Sequence, residues 1–166
     1  MQLMLARGAA VAGATLVAAA LAGCGGAAGT HLSKAAADRE WVANTSGVID
    51  QLNEDVSAVA SAGRGLQSAR RALHDESDLF ALLVAYTDFG GCNKMVAAAG
   101  EAPPRFTRVE SALELACRHF SDAAELFTRA ASATDAQALL RASRQVRLAA
   151  AALYRASLRF AAARSG

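Results

Sequence analysis

Apolar side chains recur every three, four or seven positions along most of this chain, the period of a helix with one buried face. From about residue 35, Trp41, Val48, Leu52, Val56 and Val59 mark the first such stripe, and Leu66, Ala69 and Leu73 continue it. Two breaks are open along this stretch. Gly63, Arg64 and Gly65 interrupt it with two poor helix formers. Segment 74–77 has better end chemistry: Arg70, Arg71 and His74 suit a helix C-terminus, and Asp75, Glu76 and Asp78 suit the next N-terminus. The second break is the expected one, with a kink at the glycines.

A second helix is expected over 77–99, with Leu79, Leu82, Leu83, Tyr86, Phe89 and Val96 as its apolar set, ended by Gly100 and the pair Pro103, Pro104. The third carries the clearest stripe: Phe106, Val109, Leu113, Ala116, Phe120, Ala124 and Phe127. Thr134, Asp135, Ala136 and Gln137 read as a capping box with the Thr134 hydroxyl as the cap. A fourth helix then runs over 135–163 with Leu139, Val146, Ala149, Leu153 and Phe160 on one face. With no strand-like alternation, this is an all-α, antiparallel helical bundle, expected to have four helices over residues 35–163. Trp41, Tyr86, Tyr154 and the phenylalanines are expected mostly in its core, although Trp41 also suits a headgroup region.

The first residues follow other rules. Arg7 is the only charged side chain before an uncharged run of Ala, Val, Leu and Gly over 8–22, shorter than the roughly 18–20 apolar residues of a membrane span. The run closes on Leu21, Ala22, Gly23 and Cys24. This ending resembles the lipobox of bacterial lipoproteins. The resemblance covers residues 1–24 and implies that 1–23 form a cleaved signal peptide, with a thioether-linked diacylglycerol on Cys24. An uncleaved anchor or a buried helix are the alternative readings. Segment 24–34 then holds the lipidated cysteine and a short tether of small and polar residues. Gly25, where some lipoproteins carry Asp, leans toward an outer membrane in a two-membrane cell. In a one-membrane cell the same signal gives the outer face of the cell membrane.

Cleavage leaves 143 of the 166 residues, enough for one domain with a real core. Losing Arg7 turns 17 basic residues into 16 against 15 acidic ones, which does not suggest a nucleic-acid partner. With Cys24 lipidated, Cys92 and Cys117 remain as an even pair in a compartment that permits disulfides. Two separate buried thiols are the other reading. The helical hairpin favours the bridge, because a turn centred near Pro103 places Cys92 opposite roughly residue 115. Gly90 and Gly91 are expected to let the two backbones approach.

Charge is distributed unevenly. Residues 136–166 hold six arginines and no acid, and Arg141, Arg144, Arg155 and Arg159 fall within about 60° of helix surface opposite the apolar face. They are a candidate partner face for phosphate-bearing lipids, anionic wall polymers or an acidic protein. The plainer reading is a solvated face, or one complemented by Asp38, Glu40, Asp50, Glu54 and Asp55 of the first helix. His31, His74 and His119 are scattered, and neither a Glu-x-x-His pair nor C-x-x-C-H occurs. No catalytic residue, metal ligand or cofactor is assigned, and an enzyme is not expected. The function expected is that of a membrane-anchored extracytoplasmic lipoprotein with a binding or structural role in the cell envelope. The alternative is a small-ligand or metal-binding helical bundle.

Joining Cys92 to Cys117 closes a loop of about 26 residues, which by the chain-entropy argument stabilises the fold by roughly 3–4 kcal/mol. The double variant Cys92→Ala/Cys117→Ala should lose about that much in denaturant unfolding. Two titratable thiols in the native protein besides Cys24, with stability unchanged in the variant, would contradict the bridge.

Overall fold

The computed structural model describes residues 33–165. The lipobox, Cys24 and most of the expected tether lie outside them. Four long helices and one short one make up the described chain: α1 (Lys34–Ala60), α2 (Leu66–His74), α3 (Glu76–Ala98), α4 (Thr107–Ala133) and α5 (Ala136–Ser165). No strand occurs among the described residues. The long helices run alternately up and down, with α1 against α3 and α5, α3 against α4, and α4 against α5. The all-α bundle expected from the apolar stripes is therefore present, with a fifth, short helix added.

That fifth helix corrects the expected kinked first helix. The chain breaks at both candidate sites: a 3-10 turn, Ala62–Arg64, separates α1 from α2, and Asp75 separates α2 from α3. Length gives the reason. A single helix over 34–74 would rise about 60 Å, against about 35–45 Å for partners of 23, 27 and 30 residues. Ala69, Ala72 and Leu73 would then have nothing to pack on. Broken off from α1, α2 lies on α3 and α5 and buries all three. Gly63 sits in this break directly over α5. A Cβ there would stand 2.7 Å from the Cβ of Ser143, too close for any other residue without movement.

Local chemistry sets the remaining ends. The Asp75 carboxylate accepts a hydrogen bond from the Asp78 backbone N–H at 2.9 Å, capping α3 where Glu76 and Asp78 also favour the helix dipole. Gly100, at φ +90°, turns the chain out of α3 while its N–H donates to the Ala97 carbonyl. Phe106 closes the following 3-10 turn, Pro104–Phe106, and is fully buried.

The expected capping box is corrected in its details. Thr134 adopts the left-handed conformation, φ 51° and ψ 37°, ending α4 rather than starting α5. Asp135 is the cap instead: its carboxylate accepts from the N–H groups of Gln137 at 2.8 Å and Ala138 at 3.1 Å. Two helices joined this tightly need one residue to reverse the backbone and the next to satisfy the new N-terminus.

Two aromatic groups fill the core. At the end where α1 begins, the Trp41 ring lies 4.9 Å from that of Phe106 and 6.3 Å from that of Phe160. Trp41 is thus a core residue, buried in the bundle. Between α3 and α4, Tyr86 stacks on Phe127 at 4.3 Å and Phe89 on Phe120 at 4.4 Å. Cys92 and Cys117 form the disulfide between the same helices, with Cα atoms 5.3 Å apart and both side chains fully buried. The glycines expected to permit this approach do not do so. A Cβ on Gly90 would make an ordinary 3.6 Å contact with Ala124, and one on Gly91 would meet nothing within 4 Å.

Thr134 and Asp135 have opposite expected responses. Thr134→Gly should raise stability by about 1 kcal/mol by relieving a β-branched left-handed residue. Asp135→Ala should lower it by about 1 kcal/mol by removing the cap. Denaturant melts of the two variants check this, and a loss at Thr134 with no change at Asp135 would restore the original capping assignment.

Candidate partner-binding face

Burial of α5 is strongly one-sided. Ala138, Leu139, Ala142, Val146, Ala149, Leu153, Ala156 and Phe160 face the core, so the expected apolar stripe is the buried one. Turned outward are Arg141, Arg144, Arg155 and Arg159, all exposed. The fold divides these four. Arg141 reaches back to Asp135, 3.5 Å away, and Arg159 donates to the carbonyl of Arg108 on α4 at 3.1 Å. Arg144 and Arg155 make no side-chain hydrogen bond or salt bridge among the described residues.

The acids of α1 do not complement this face. Among the described residues no salt bridge joins α1 to α5, and Asp38 pairs instead with Arg105 at 3.8 Å. Arginines on α5 are therefore solvated, with Arg141 and Arg159 steered by local contacts.

Composition of the face differs from the sequence-based picture in one respect. Leu148, Tyr154 and Leu158 also point outward, at 52%, 65% and 54% exposure. The expectation that Tyr154 packs in the core is thus corrected: one residue past buried Leu153, it lies about 100° around the helix and off the buried stripe. At about 100° per residue, Arg144, Leu148, Arg155 and Leu158 share a sector of about 80°. That angular coincidence was present in the sequence, but an apolar residue between arginines does not announce whether it is covered.

A second exposed apolar group lies on α3, where Phe80, Leu83 and Val84 are 67%, 45% and 46% exposed. It adjoins a groove of about 580 Å³ between α3 and α4, lined among others by Leu83, Tyr86, Gly90 and Phe127. Burial pushes the Tyr86 hydroxyl up to about 12, so it stays neutral.

Acidic chemistry concentrates between α1 and α3. Asp55 is only 6% exposed, and Gln51 Nε2 bridges it to Asp88, at 3.3 Å and 3.4 Å respectively. Burial raises the Asp55 carboxyl from 3.8 to about 6, the Gln51 hydrogen bond opposes this, and the nearby charges of Asp88 and Glu54 add to it. Among the described residues no three His, Cys, Asp or Glu side chains converge as a metal site. His119 faces Gln145 at 3.3 Å, and His74 is exposed at the end of α2. No protein-family model, curated protein or solved structure matches the chain.

The sign of the Asp55 effect is fixed by its direction. A carboxyl whose pKa is raised by folding holds its proton more tightly in the native state, so stability falls as pH climbs from about 4 through about 6. Asp55→Asn keeps an acceptor for Gln51 and removes the charge. Thermal melts across this window should show the variant more stable than the parent at neutral pH, with the difference vanishing toward pH 4. A constant difference across the window would show that the charge of Asp55 is not what costs stability.

Proposed function

We propose that this chain is a lipid-anchored protein of the bacterial envelope whose helical bundle binds an anionic partner outside the cytoplasm. Acyl chains on Cys24 hold it at a cell membrane or outer membrane. Two or three chains suffice physically, because each buried CH₂ contributes about 0.8 kcal/mol and a single chain is marginal. The segment between Cys24 and Lys34 can span at most about 36 Å, so the bundle stays close to the bilayer and meets partners at high effective concentration.

The observation that carries the binding role is the outer face of α5, where Arg144 and Arg155 are exposed and make no side-chain pairing among the described residues. Guanidinium groups fork onto carboxylates and phosphates, and two of them on one ridge give such a partner a fixed register. The role is binding and positioning rather than catalysis.

Mass spectrometry of the mature protein should find Cys24 acylated and residues 1–23 gone. Affinity capture from the native envelope should recover an anionic partner with the parent chain. Arg144→Glu/Arg155→Glu should reduce that recovery at least tenfold while circular dichroism stays unchanged. An intact signal or a bare Cys24 would sink the anchoring. Capture unaffected by charge reversal would sink the face.

A further inference from the structure

We infer that the outer face of α5 docks onto the surface of an anionic phospholipid bilayer, with its arginines on headgroup phosphates and its exposed apolar side chains in the interfacial layer. This rests on the envelope reading above and assigns the partner of the same face.

Composition argues first. Membrane-surface helices carry basic residues together with Leu and aromatic side chains that enter the headgroup and acyl boundary. On α5, Leu148, Tyr154 and Leu158 stand half-exposed or more among Arg144, Arg147 and Arg155. No acid occurs anywhere in 136–166 to repel a phosphate layer. The tyrosine ring, apolar in body and polar at its tip, suits the interface. Arg144 and Arg155 are not drawn to carboxylates of their own fold.

Shape argues next. From Arg144 to Leu158 the face is one helical ridge about 21 Å long. A convex ridge needs a groove on a protein partner, but a fluid bilayer surface yields to it. A second copy is disfavoured by charge. In a two-fold pairing, equivalent ridges meet, so Arg144 and Arg155 would oppose arginines with no acid between them. The shared feature of every good occupant is dense negative charge over an apolar layer, and an anionic leaflet supplies both.

Fluorescence quenching tests this in the full chain isolated from its membrane. Tyr154→Trp places a reporter on the ridge, while Trp41 stays inside the core at 4% exposure as unquenched background. Vesicles are made of phosphatidylcholine alone, or of phosphatidylcholine with phosphatidylglycerol, each with brominated acyl chains. Expected is quenching in the phosphatidylglycerol vesicles that weakens at high salt. At about fivefold per arginine, Arg144→Gln/Arg155→Gln should lower the docked-to-free ratio about 25-fold. Equal quenching in phosphatidylcholine alone, untouched by the substitutions, would overturn headgroup recognition. Vesicle-bound protein without quenching would overturn the docking and return the face to a protein partner. A doubled mass by light scattering without quenching would do the same in favour of self-association. Failure of the anchor is seen separately, as an unacylated Cys24, because the quenching measures the ridge however the chain reaches the vesicle.

Discussion

The contact between α4 and α5 is the most extensive in the bundle, and its small side chains set the terms for the rest. Ala112, Ala116, Ala123 and Ala130 of α4 are buried, as are Ala138, Ala142, Ala149, Ala152 and Ala156 of α5. Alanine costs almost no side-chain entropy and lets two helices approach closely. The connection is correspondingly tight: Thr134 reverses the chain and Asp135 caps the next helix within two residues. A close-packed hairpin of this kind leaves little room on its inner face. Larger apolar residues of α5 that miss the buried sector, Leu148, Tyr154 and Leu158, have only the outside to occupy.

Bulk comes from aromatic rings on all four long helices. Phe106, at the head of α4, meets Trp41 of α1 and Phe160 of α5 at one end, while Tyr86 and Phe89 of α3 stack on Phe127 and Phe120 of α4 further along. The Cys92–Cys117 bridge pins the same α3–α4 pair. Thus small buried residues are frequent on α4 and α5, with a ring contact at one end, whereas α4 meets α3 through stacked rings and the disulfide. The two sides differ in what they tolerate: an added methylene disturbs an alanine seam, whereas deletion of a ring opens a cavity. Asp55 runs against this economy. Its carboxylate is held at the α1–α3 contact by Gln51 near Asp88, a placement that weakens the fold at neutral pH.

The exposed surface has a division of its own. On α5, Arg141 and Arg159 are held by the cap residue and by a neighbouring carbonyl, and Arg144 and Arg155 extend from the ridge between them. Had the acids of α1 met these arginines, the face would be internally neutralised. Instead Asp38 pairs with Arg105 beside the aromatic cluster, and the basic ridge keeps its field toward solvent. On the proposed lipid anchor, such a ridge would need little intrinsic affinity, since a tethered encounter is already concentrated.

Sequence favoured the Cys92–Cys117 bridge over two separate thiols, and the approach of α3 to α4 decided it; alone, sequence determined the helical class, the positions of the long stripes and the basic character of α5. These depend on local period and composition, which the chain carries residue by residue. Leu139, Val146, Leu153 and Phe160 could only be a buried face, and Gly100 with two prolines could only end a helix. Tertiary structure decided the rest. Gly63 and Gly65 marked a weak point in 34–74, but whether the chain only kinks or breaks there depends on how long its partners are. Whether Thr134 or Asp135 caps α5 depends on how the preceding helix is closed. Whether Tyr154 and Leu158 lie inside or outside depends on how much of the circumference of α5 its neighbours cover. Whether Arg144 meets an acid depends on the azimuth of α1 about the bundle, because charge pairing needs a distance of a few ångströms and sequence fixes only the sign.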